Sequence, residues 1–224
     1  ILSKKSFTLS EVLITLVVIG IIAAITVPNI IQQNKRTRVE TQLKKFYSTM
    51  SNAVRLSEIQ NGISTAEVEF NGGKDAGEKF FKEYLAPYLN YMKIDCKYKN
   101  ESGQERCKVY MNDGSTFTMW NHYIGFAGGV ATRCVEMYYD TNDTRGPNTD
   151  GKDIFNFFLC NKLNCFDSNG KQVCIDSFGT FPAAKDLTRN QVKYYCSSKN
   201  NGRYCTELIY RDGWKFSKDY PLKI

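Results

Sequence analysis

The sequence predicts an α+β protein in which a long N-terminal α-helix, transmembrane in its first half and amphipathic in its second, packs on a small antiparallel β-sheet head with disulfides. Three observations carry this. Val12 to Ile31 is a run of twenty residues without a charge. A polar stretch with an apolar period of helical spacing follows it directly. The remainder breaks into short alternating segments separated by turn signals, and it holds all eight cysteines.

The charge-free run has the ~20 residues that a helix needs to cross ~30 Å of hydrocarbon. Lys4 and Lys5 precede it, as in a secretory signal peptide, but no small-x-small cleavage site closes it, so the segment is read as retained. Val39, Leu43, Phe46, Met50 and Val54 then recur on one face, with Tyr47 and Ala53 beside them, until Asn61-Gly62 supplies a stop. One helix from Phe7 to Gln60 would span about 80 Å at ~1.5 Å per residue. Pro28 is expected to bend it, and Gly20 permits close backbone approach. The chain divides into a leader remnant (1–6), a transmembrane and assembly helix (7–31), its amphipathic continuation (32–61) and an extracytoplasmic head (62–224).

Within the head, Glu78 to Leu85 reads as a short helix before Pro87. Lys108 to Asn112 and Thr116 to Trp120 flank Asp113-Gly114, a hairpin signal. Val135 to Asp140 and Ile154 to Leu159 read as strands, and Asn71, Asn169 and Asn201, each before glycine, as turns.

Composition narrows the function classes. With 42% hydrophobic and 24% charged residues the chain is neither disordered nor a multi-span membrane protein. The formal net charge is +7, and residues 32–60 hold six basic residues against two acidic ones. Such a face suits a membrane-adjacent or partner-facing helix, and is compatible with nucleic acid without establishing it. The single histidine, His122, has no nucleophile motif beside it, so no enzyme is read here. Cys96, Cys107, Cys134, Cys160, Cys165, Cys174, Cys196 and Cys205 point to an oxidising compartment and structural disulfides, whose pairing spacing alone leaves open.

Glu11 is the unexpected residue, because a carboxylate in a membrane costs ~2.5 to 3.5 kcal/mol on insertion scales. Lys4-Lys5-Ser6-Phe7-Thr8-Leu9-Ser10-Glu11, followed by the apolar run and Pro28, resembles the N-terminus of type IV prepilins and their pseudopilin relatives. The resemblance implies cleavage by a prepilin peptidase between Ser6 and Phe7, methylation of the new Phe7 amine, and assembly into a filament. Ser6 stands where that family normally has glycine. It further implies that Glu11 neutralises the Phe7 amine of a neighbouring subunit, and that Pro28 is the helix-bending proline. The expected partners are copies of the chain or sibling pilins, the peptidase with its methyltransferase activity, and an inner-membrane assembly platform. The implied location is the bacterial inner membrane, then a surface pilus or periplasmic pseudopilus.

Asp140, Asn142, Asp143, Asp150 and Asp153, interleaved with glycines, offer oxygen ligands dense enough for calcium, the one cofactor considered, although their spacing is not that of an EF-hand. An Asx- and glycine-rich turn between strands is the plainer reading. The stretch resembles a loop of pilin-like heads, as does the end of the chain from Cys205 to Pro221, where Trp214 and Tyr220 are expected in the core. A monomeric, single-span anchored protein with calcium-dependent surface binding is the alternative function.

Overall fold

The computed structural model describes residues 8–62, 74–100, 102–125, 131–160, 172, 177–197 and 202–224, with backbone alone at 74–76, 121–125 and 131–133. The leader, the Ser6/Phe7 junction, Cys165, Cys174, and the turn signals at Asn71, Asn169 and Asn201 lie outside these residues.

Helix α1 runs from Leu9 to Asn61. It starts two residues later than Phe7 because Thr8 is its N-cap, in extended conformation, with its hydroxyl accepting from the Glu11 amide. It ends at Gly62, whose left-handed φ of 69° lets its N–H reach the Glu58 carbonyl. Pro28 lies inside the helix, where its missing N–H removes one i→i−4 bond. The predicted apolar stripe is the buried one: Val39, Leu43, Phe46, Met50, Ala53 and Val54 are all inside, joined by Ser57.

The predicted helix at 78–85 proves to be two pieces. Helix α2, Lys74–Phe80, passes into a π-helical turn over Phe81–Leu85, closed by an Ala86 N–H bond to the Phe81 carbonyl, and then into a 3₁₀ turn containing Pro87. The wider turn lets the adjacent Phe80 and Phe81 both bury along with Leu85, which a regular helix would splay around its axis.

The sheet is a sequential antiparallel meander, β1 (Tyr91–Lys99), β2 (Glu105–Met111), β3 (Thr116–Gly125), β4 (Ala131–Asp140), β5 (Ile154–Cys160) and β6 (Phe178–Gly179). Around Asp113-Gly114 the expected hairpin forms: Gly114 has φ 82°, and Asp113 Oδ1 accepts from both the amide and the hydroxyl of Ser115. Strand β1 escaped the sequence reading because Lys93, Lys97 and Lys99 interrupt its alternation. As an edge strand it needs only partial burial, and those lysines discourage pairing with another chain.

One face of the sheet presents Val109, Phe117, Met137, Tyr139 and Phe157 to α1, all buried. Phe46 stands at the centre of this contact, with its ring centroid 4.1 Å from Tyr139 in a stacked arrangement, 5.1 Å from Phe157 and 5.5 Å from Phe117. On the opposite face lie two short helices absent from the sequence reading, α3 (Arg189–Ser197) and α4 (Gly202–Arg211), the latter packed on β5. Their junction is fixed to the sheet by a bidentate ion pair: Arg203 Nε and Nη2 each lie 2.7 Å from a carboxylate oxygen of the fully buried Glu136. Asn156 Nδ2 donates to the same carboxylate at 3.0 Å.

Among the described residues, three disulfides staple these layers. Cys96–Cys107 joins β1 to β2, Cys134–Cys160 joins direct register partners on β4 and β5, and Cys196–Cys205 joins α3 to α4. The expected α+β class and disulfide-bonded head are thus present, and Trp214 and Tyr220 are buried as anticipated.

Truncating the central ring tests this account of the core. Phe46→Ala is expected to destabilise the head by about 3–5 kcal/mol, the usual cost of emptying a buried phenylalanine site. Denaturant unfolding of the full chain in detergent measures it, and a loss below about 1 kcal/mol would place the organising contact elsewhere.

Candidate functional site

The N-terminal half of α1 is a free-standing apolar rod. From Leu9 to Ile31 every residue is exposed, and none of the most apolar window is covered by the rest of the chain. Its few polar side chains turn inward on their own helix: Thr15 Oγ1 donates to the Val12 carbonyl at 2.9 Å, Thr26 Oγ1 to Ile22 at 2.9 Å and Asn29 Nδ2 to Ile25 at 3.1 Å. A segment that satisfies its own polar atoms leaves only apolar surface outward, which is what hydrocarbon or neighbouring helices require.

Glu11 is the one charge on the rod, and local chemistry holds it. Its Oε2 accepts from the Thr8 amide and the Thr8 hydroxyl, each at 2.8 Å, while the Thr8 hydroxyl accepts from the Glu11 amide at 3.3 Å. This is a reciprocal capping box at the positive end of the helix dipole. Among the described residues every hydrogen bond to the carboxylate goes to Oε2, so Oε1 stays open. Thr8 was not singled out from the sequence, although Thr-x-x-Glu before an apolar run is itself the signature of such a box.

Where the rod enters the head, the C-terminal segment grips it. Gln32 Nε2 donates to the Ile224 carbonyl oxygen at 3.3 Å, the Arg36 guanidinium lies 5.7 Å from the Phe216 ring centre, and Glu40 Oε1 accepts from the Phe216 amide at 2.8 Å. Gln42 Nε2 donates to the Thr141 carbonyl and Lys45 pairs with Asp113 at 3.1 Å. Part of the basic stretch therefore holds the head in place, while Arg38, Lys44 and Arg55 remain exposed.

The loop joining β4 to β5 carries the five candidate calcium ligands. Asp153 is fully buried and accepts from the amides of Asn148 at 2.9 Å and Thr149 at 2.7 Å. Asp143 pairs at 2.5 Å with Lys108, a residue the sequence reading gave no role. Burial is the largest influence on the Lys108 ammonium and works against it, but the hydrogen bond and charge of Asp143, with Tyr98 and Tyr110 nearby, together outweigh it and hold its pKa above the ordinary lysine value. Asp140 accepts the Asn142 amide at 3.0 Å, and burial, with the charges of Asp153 and Asp143 nearby, still pushes its carboxyl up to about 6. Asn142 Oδ1 is buried without a partner, and Asp150 forms a bridge with Ile154. Among the described residues no group of three or more His, Cys, Asp or Glu side chains converges as a metal cluster would. Gly151, with φ 76°, is pressed against Cys205 and Leu222, so a side chain there would collide with the α3–α4 staple.

His122 lies on β3 opposite Cys134 in register, and its side chain is outside the described residues.

Comparison with known sequences follows this division of the chain. Residues 2–27 match the prokaryotic N-terminal methylation motif, and residues 29–224 match a family of unknown function, DUF6613. No curated protein and no solved structure matches the chain. The motif, the apolar rod and the disulfide-bonded antiparallel head are together consistent with a type IV pilin-like protein. The chain belongs to the DUF6613 family and bears the prokaryotic N-terminal methylation motif at its head.

Proposed function

We propose that this chain is a structural subunit of a type IV pilus-like or pseudopilus filament, cleaved by a prepilin peptidase between Ser6 and Phe7 and assembled through α1. The observation that carries the reading is the exposed apolar rod beneath the methylation motif. Burying each large apolar side chain on that rod is worth about 1.5–3 kcal/mol, so it does not stay in water. Before assembly the inner membrane covers it, and in the filament the rods of sibling subunits do. One rod against the next is a head-to-tail contact that does not close, and such contacts make filaments.

Glu11 supplies the register in this scheme. Oε2 is occupied by its own cap, and Oε1 is left to receive the methylated Phe7 amine of a neighbour. The peptidase, with its methyltransferase activity, and an inner-membrane assembly platform are the partners this scheme requires. The disulfides support a reading in which the head lies on the oxidising side of the membrane.

Calcium is a second reading for the 140–153 loop alone. It is favoured by the unpartnered, buried Asn142 Oδ1 beside the Asp140 carboxylate. A cation there would also serve the alternative function, a monomeric anchored protein that binds surfaces through its head.

Mass spectrometry of N-terminal peptides tests the main reading. Sheared surface material or periplasmic filaments are expected to contain N-methylated Phe7, whereas Lys4 to Ser6 still attached, in membranes only, would favour the anchored monomer. Glu11→Val is expected to insert at least as well as wild type yet enter filaments at least about tenfold less, since losing one partner of a buried pair costs several kcal/mol. Fibres of normal yield from that variant would remove Glu11 from assembly. For the loop, calcium at about 100 times its Kd is expected to stabilise the head by about 2.7 kcal/mol. Identical melting temperatures in calcium and in chelator would dismiss that site.

A further inference from the structure

The α3–α4 layer covers the outer face of the sheet over β5 and stops short of β2 and β3. The uncovered part is the floor of a groove of about 750 Å³, within the size range of ligand sites. Hydroxyl and amide groups recur along it, with Thr116, Thr118 and Tyr138 on the floor, Asn100 and Ser102 on one wall, and Asn148 on the other. Such a lining both donates and accepts hydrogen bonds along its length, and so complements a ligand rich in hydroxyls.

Three cations line the groove, and they differ in how far the protein already neutralises them. Lys108 is almost wholly buried and paired with Asp143. Lys152 sits on the loop wall. Arg106 lies over two rings, its guanidinium carbon 4.5 Å from the centre of Trp120 and 4.9 Å from that of Tyr138. Among the described residues, its Nη2 donates to Gln104 Oε1 at 3.3 Å, its Nε is buried without a partner, and no carboxylate pairs with it. A guanidinium held over aromatic rings keeps its terminal nitrogens for a ligand, and that fork takes a carboxylate through two parallel bonds.

Asp140 and Asp150 line the same groove. A ligand with a phosphate at every unit would meet them as well as Arg106, and too few unpaired cations are present to outweigh that repulsion. A single carboxylate among many hydroxyls meets no such conflict, because the two aspartates then accept hydrogen bonds from the hydroxyls.

We propose that this groove binds an acidic polysaccharide, seating a uronate carboxylate on Arg106 and the neighbouring sugar hydroxyls on the polar floor and walls. The site lies entirely on the head, so it operates whether the chain is a filament subunit or an anchored monomer.

The test titrates the full chain in detergent with an aldotetraouronate, a tetrasaccharide of three xyloses and a single glucuronate, and with xylotetraose, a neutral oligosaccharide of equal size. The acidic sugar is expected to bind at least about tenfold more tightly, and Arg106→Gln to remove that preference. Should Arg106→Gln fail to fold, Arg106→Lys carries the test. It keeps the charge over the rings and loses the fork, so acid binding is expected to weaken by about threefold or more at an unchanged melting temperature. Thr118→Val is expected to weaken both sugars together. Equal binding of the two sugars, no binding of either in the millimolar range, or wild-type affinity in both Arg106 variants would overturn the proposal. Tighter binding of oligothymidylate than of the aldotetraouronate would also overturn it, by making the groove a general polyanion site.

Discussion

One continuous helix has to satisfy two different surroundings, and the rest of the molecule is arranged around that constraint. From Leu9 to Ile31 α1 presents apolar surface in every direction; from Val39 onward it is apolar on one face only. The sheet can cover a stripe but not a cylinder, so the head begins where the stripe begins. The change of surroundings falls between Gln32 and Glu40, where the last residues of the chain clamp α1 through Gln32, Arg36 and Glu40. Because those contacts join residues 176 and 192 positions apart, the exit angle of the rod is set by the completed head and not by the local sequence.

The head holds its shape by different means on its two faces. Toward α1 the cohesion is aromatic and apolar, centred on Phe46. Toward α3 and α4 apolar burial is joined by polar and covalent links: the Glu136–Arg203 pair, the Asn156 amide on the Thr206 hydroxyl at 2.9 Å, and the staple between Cys196 and Cys205. The disulfides among the described residues close loops with sequence separations of 11, 26 and 9 residues, and each contributes about 2–4 kcal/mol in the usual range. That suits a domain whose longest helix gives half its length to other molecules.

Much of this was legible in the sequence, and the parts that were not share a cause. The stripe on α1, the hairpin at Asp113-Gly114 and the strands ending at Asp140 and starting at Ile154 carry their period or turn residues within a short window. Strand β1 and helices α3 and α4 depend on partners far away. An edge strand carrying three lysines has no alternation to read, and α4 opens at Gly202, which sequence logic treats as a stop. That glycine is there because Asp150 and Asn156 leave no room for a side chain. Likewise the Asp and Asn residues of the 140–153 loop advertised oxygen ligands, whereas Lys108, two strands away, decides where Asp143 points. The Thr8–Glu11 box was the reverse case, a local signal that attention to the cost of the charge obscured.

On the proposed reading, Glu11 has to suit both a membrane and a polymer. A carboxylate within a span costs ~2.5 to 3.5 kcal/mol on insertion scales. An N-terminal cap returns about 0.5–2 kcal/mol and a favourable position on the helix dipole about 0.3–1 kcal/mol. Together the cap and the dipole offset much of that penalty, which is quoted for a helix centre and is smaller in the first turn, where Glu11 stands; on the proposed reading, whatever cost remains favours a state that supplies a cation. A fully compensated carboxylate would give the rod no preference for its neighbours, since apolar packing against helices scarcely differs from packing against lipid. An uncapped one would oppose insertion. On the proposed reading, the residual cost left by Thr8 is the part of the free energy that distinguishes a filament from a membrane.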